Sequence, residues 1–186
     1  MINPYFSENL NPLYVLDESL RKKLQNKAEK IPSIIITSSA AANAVMLAGG
    51  YFNPLKGYMN LTEVLSVAER MQMPSGLLWP TPVVNMYRGD LLTNLCQKHG
   101  IKIGIKPNDE IALRDPNVDG NPVIAIQKID NIEKINIDQK NFISKQIFGT
   151  TSREHPGVDS FFESGDILIS GPIKVLNYSY FSIDFP

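Results

Sequence analysis

The sequence predicts an α+β protein, with helices gathered mostly in its first half and strands in its second. Three observations carry this. Apolar residues recur at helical spacing over 18–30, 40–48 and 61–71. From residue 105 onward, β-branched runs alternate with turn signals such as Asp119-Gly120. Hydrophobic residues make up 43% and charged residues 20%, so the 186 residues can bury a core and predict one domain, 1–186.

Charge and composition exclude several classes. A net charge of −1 gives no electrostatic case for nucleic acid. One cysteine, Cys96, cannot form an internal disulfide and fits a reducing compartment. Two histidines and one cysteine make a nitrogen/sulfur metal site a poor expectation. No apolar run approaches the ~20 residues of a membrane span, and the first residues lack the basic and apolar regions of a signal peptide. The expected location is the cytoplasm, with no membrane partner.

Residues 1–16 form a proline-punctuated arm, expected to lie across the domain as a strap. Asp17 caps a helix over 18–30 whose face carries Arg21, Lys22, Lys23, Lys27 and Lys30. Without interleaved aromatic residues, these charges read as a solvated face rather than an RNA-binding patch. Pro32 ends the helix, and 33–37 is a short buried strand. Ser38 or Ser39 then caps an alanine-rich helix over 40–48, closed by Gly49 and Gly50.

The stretch 49–60 organises the chain. Its glycines and Pro54 give it one shape. Tyr51, Phe52, Leu55, Tyr58 and Met59 are too apolar for a loop that merely spans solvent. It predicts a packed connection pinning the flanking helices to a sheet. It lacks the Gly-Lys-Ser/Thr ending that a phosphate loop needs.

Asn60 and Glu63 begin an amphipathic helix over 61–71, with Leu61, Val64, Leu65, Ala68 and Met71 on its apolar face. Residues 77–85, with Trp79, Pro80 and Pro82, read as an apolar edge strand. A short helix over 91–98 would place Cys96 and His99 on one face, but no orienting group or positive environment accompanies the pair. A strand over 110–115, a turn at 117–121 and a strand over 122–127 form a hairpin. There Arg114 and Asp115 read as an ion pair or turn cap rather than active-site charges.

Residues 132–148 read as a strand end and a helix. His155 precedes a proline in a turn, and no carboxylate or serine is spaced to partner it as a general base. Its expected role is to hydrogen-bond the turn and help start a helix over 158–164. Strands at 166–170 and 173–176 follow, separated by a bend at Gly171-Pro172. The aromatic tail 178–186 is expected to dock on this domain or begin a linker to a further one.

Four segments together resemble the ATP sulfurylase (sulfate adenylyltransferase) family. They are Phe52-Asn53-Pro54-Leu55-Lys56-Gly57-Tyr58-Met59, similar to F-x-P-L-x-G-F-M; Leu78-Trp79-Pro80-Thr81-Pro82-Val83, similar to L-W-P-x-P-I/V; 110–115 with Gly120-Asn121-Pro122; and Phe148-Gly149-Thr150-Thr151 with His155-Pro156-Gly157-Val158, ending in Gly165-Asp166 and Gly171-Pro172-Ile173. The type resembled is that of sulfur-oxidising or sulfate-reducing prokaryotes.

The resemblance implies a PUA-like small β-barrel with several decorating helices, standing as the N-terminal structural or oligomerisation domain of the parent enzyme. That enzyme makes adenylyl sulfate and pyrophosphate from ATP and sulfate. Its ATP and Mg are handled in a following Rossmann-like domain bearing Q-x-R-N-P-x-H-x-x-H. No Arg-Asn-Pro and no paired histidines occur here. The chain alone is therefore expected to be inactive, with no catalytic, cofactor-binding or metal-ligating residue. Its expected partners are the enzyme's catalytic domain and further copies of itself. A free-standing PUA-like module that binds RNA or regulates is the competing reading, and the near-neutral charge disfavours it.

Overall fold

The computed structural model describes residues 12–88, 97–98, 101–102 and 104–181. Its helices are α1 (Glu18–Ala28), α2 (Ser38–Ala48), α3 (Leu61–Arg70), α4 (Ile137–Phe148) and α5 (Pro156–Glu163). Its strands are β1 (Ser33–Ile35), β2 (Gly57–Tyr58), β3 (Met86–Tyr87), β4 (Gln97–Lys98), β5 (Ile101–Lys102), β6 (Glu110–Arg114), β7 (Val123–Lys128), β8 (Asn131–Lys134) and β9 (Ile167–Val175). This is the expected α+β class.

The sheet is organised by β9, which changes neighbours halfway along. Its first half lies between β8 and β3. Its second half lies between β7 and β2. β6 extends the sheet from β7, and β1 joins β6 in parallel. Seven strands curl in this way into a half-barrel. Where two strands were expected at 166–170 and 173–176, one strand runs through, bent at Gly171 with φ 134°. A Cβ on Gly171 would lie 2.2 Å from the Lys128 carbonyl oxygen, and one on Gly57 would lie 2.1 Å from that of Gly171. Only two glycines let three backbone segments meet at this corner.

Alternation along β6 divides the interior. Ile111 and Leu113 face a large core with α2, α3 and α4, while Ala112 faces a smaller one beneath α1, with Leu24 and Leu176. One polar bridge crosses the large core. Asn85 Nδ2 donates to Gln127 Oε1 (3.0 Å), and Gln127 Nε2 donates to the Ile169 carbonyl (3.1 Å), with both residues fully buried.

Local signals explain most helix starts. The Asp17 carboxylate accepts from the Leu20 N–H. Asn60 and Glu63 form a reciprocal capping box, as do Asn136 and Gln139. Four expectations are corrected. Thr37, rather than Ser38 or Ser39, caps α2: it remains extended and accepts the Ala40 N–H. Met71 does not join the apolar face of α3, because its left-handed conformation (φ 52°) at the helix end turns it 52% exposed to solvent. Residues 77–85 form no strand; Pro80 and Pro82 supply no N–H, and only Leu78 makes a bridge, to Gln72. Gln97–Lys98 pairs antiparallel with Ile101–Lys102 instead of ending a helix. The rest of the expected 91–98 helix, with Cys96 and His99, lies outside the described residues, as do residues 1–11 of the arm and 182–186 of the tail.

Candidate functional site: an apolar groove

The loop that follows α2 and the turn that follows α3 face each other across a groove. On one side, Tyr51 N–H donates to the Met46 carbonyl, Asn53 N–H to Gly50 and Leu55 N–H to Phe52, so the loop is internally tied. On the other, Met73 N–H donates to Leu77, Gly76 N–H to Met73 and Trp79 N–H to Met71, which closes a tight turn through Pro74-Ser75-Gly76. Phe52 and Trp79 meet edge to face, 5.7 Å apart, and form the floor.

The cavity between them measures about 390 Å³, and no charged side chain lines it. Its rim carries Tyr51 (50% exposed), Met71 (52%) and Leu78 (67%). Trp79, the chain's single tryptophan, is buried, and its Nε1 has no acceptor among the described residues. The surface is mostly apolar; its polar side chains are Tyr51, Asn53 and Thr81, and no carboxylate, imidazole, thiol or amine lines it. The Leu77 to Thr81 stretch was read as a strand, so this groove was not legible in the sequence. Its signal was the cluster of large apolar residues on both segments.

Of the residues weighed as chemical candidates, His155, Arg114 and Asp115 have structural partners, while Cys96 and His99 lie outside the described residues. His155 caps α5: its Nδ1 accepts the Gly157 N–H (3.1 Å), and its ring packs on Phe148. Arg114 bonds Glu29 (2.9 Å), Ser33 Oγ (3.1 Å) and the Asn121 carbonyl (3.2 Å), tying β6 to α1 and β1. Asp115 is fully buried and accepts the Asn117 N–H (2.8 Å), shaping the hairpin turn. On α1, Lys27 pairs with Glu110 and Lys22 with Glu18, which relieves the basic face. Gly49 and Gly50 follow the C-terminal end of α2, whose dipole is negative there and disfavours phosphate.

Among the described residues, no group of three or more His, Cys, Asp or Glu is placed to hold a metal ion. Nor is any helix among them long and apolar enough to cross a membrane.

These features define a half-barrel α+β domain that carries a mostly apolar groove. The PUA-like domain family matches residues 2–178, and the chain belongs to it. All 186 residues align with sulfate adenylyltransferases: 46% identical to that of Alcanivorax borkumensis, 42% to that of Allochromatium vinosum and 37% to that of the Riftia pachyptila sulfur-oxidizing endosymbiont. The chain spans 43%, 44% and 39% of their respective lengths. A solved structure titled hexameric APS kinase from Thiobacillus denitrificans superposes with a TM-score of 0.63 at 19% identity, covering 95% of this chain and 27% of that one, a likeness of fold.

Proposed function

We propose that this chain is the supporting domain of a sulfate adenylyltransferase, buttressing a separate domain that binds ATP and Mg and transfers the adenylyl group to sulfate. It also contributes contacts between copies of the enzyme. The observation that supports this most is the pattern of likeness: similarity runs over the whole chain, yet the chain spans only about two fifths of its relatives. The described residues add a second support, since His155 caps a helix and Arg114 and Arg153 are held in ion pairs rather than in a phosphate clamp.

The test is pyrophosphate release from ATP in the presence of sulfate. The 186-residue chain should give none above background. A chimera that joins it to the part of the Alcanivorax borkumensis enzyme beyond the matched region should turn over. Robust sulfate-dependent turnover by the chain alone would reject the proposal.

A further inference from the structure

We propose that the groove between Tyr51-Phe52 and Met71–Thr81 is the seat of the nucleotide-transferring domain, which presents an uncharged, apolar side chain or short segment to it; this rests on the function proposed above. Three observations point to this occupant. The first is chemistry. The lining holds no charge, and three large apolar side chains rim it at 50–67% exposure, as in the apolar centre of an interface. Its floor is an edge-to-face Phe52–Trp79 pair, which needs little ordering before it binds.

The second is the position of Tyr178, after the last strand. Tyr178 stacks on Tyr14 with ring centres 4.5 Å apart, and the Phe181 N–H turns back to the Tyr178 carbonyl. The Tyr14 N–H in turn donates to the Ala48 carbonyl (3.4 Å), so Tyr178 lies near the end of the helix that leads into Tyr51. A catalytic domain joined beyond Tyr178 would be tethered near the groove and meet it at high effective concentration. The third is extent. The relatives carry more than half of their length beyond what this chain spans, enough to supply a partner in the same molecule.

The experiment compares amide deuterium uptake over 51–55 and 71–81 in the 186-residue chain and in the chimera described above. Uptake there should slow about ten-fold or more in the chimera, while the hairpin turn at 117–121 exchanges alike in both. Leu78→Glu should cancel that protection and lower the melting temperature of the chimera only, because Leu78 is exposed in the isolated chain. Met71→Glu provides a second variant with the same expectation.

An active chimera whose groove exchanges as fast as in the isolated chain would overturn the inference. So would equal protection in both proteins, which would mean that the groove is filled by the chain's own last residues or by a second copy. Pyrophosphate release reads the wider function and exchange reads the groove, so the two ideas fail separately.

Discussion

At the scale of single residues, the barrel corner depends on glycines more than on any apolar contact. Gly171 holds φ 134°, a conformation that L side chains rarely adopt. A Cβ there would also lie 2.9 Å from the Asp130 nitrogen, in addition to its clash with the Lys128 oxygen. Gly120 has a positive φ of 79° too, but a Cβ on it meets nothing within 4 Å. The pair separates strain from contact. Gly120→Ala should cost roughly 1–2 kcal/mol, the left-handed penalty alone. Gly171→Ala should cost more than about 3 kcal/mol, since backbone on two strands has to move. Urea unfolding of both variants checks this, and equal costs would show that the close approach contributes nothing.

At the scale of elements, the joint between α4 and α5 rests on an unusual lysine. Lys140 is buried; its Nζ donates to the Phe162 carbonyl (3.1 Å) and lies 5.1 Å from the Phe162 ring centre. Burial lowers its pKa below the usual 10.5, with Asp166 and Glu163 opposing the shift and Arg153 adding to it. The unfolded chain therefore binds this proton more tightly than the folded one. The cost is fully present below the folded pKa and fades as pH rises toward 10.5. The stability of the parent relative to Lys140→Met should thus increase from neutral pH toward that value; a flat difference would show that the amine is solvated.

Elements were legible in the sequence where a local side chain decides the outcome. Asp17, Asn60 and His155 each begin their helix as read. The reading failed where tertiary contact decides. The parallel pairing of β1 with β6 and the sharing of β9 among four strands have no local signature. The groove was hidden because Leu77, Leu78 and Trp79 have the composition of a strand, while two prolines and the turn at Gly76 leave them without a ladder.

At the scale of the whole molecule, the arm before α1 links parts that the sheet alone leaves separate. Leu13 N–H donates to the Leu47 carbonyl at 3.1 Å, Tyr14 N–H to Ala48 at 3.4 Å and Val15 N–H to Val175 at 3.0 Å, while Val175 N–H returns to Leu13 at 3.0 Å. The Tyr14 ring stacks on Tyr178 and lies beneath the Arg21 guanidinium. One short segment thus ties the end of α2, the end of β9 and the start of α1. Four backbone hydrogen bonds contribute about 1 kcal/mol each, and the aromatic pair about 1 kcal/mol more. Removing residues 1–16 should therefore destabilise the fold by roughly 3–5 kcal/mol, much of the stability typical of a domain. Because the lost contacts bridge α2 to β9, hydrogen exchange should quicken at both together rather than at the new terminus alone. A truncated protein with an unchanged urea midpoint would show that the strap rests on a fold already complete without it.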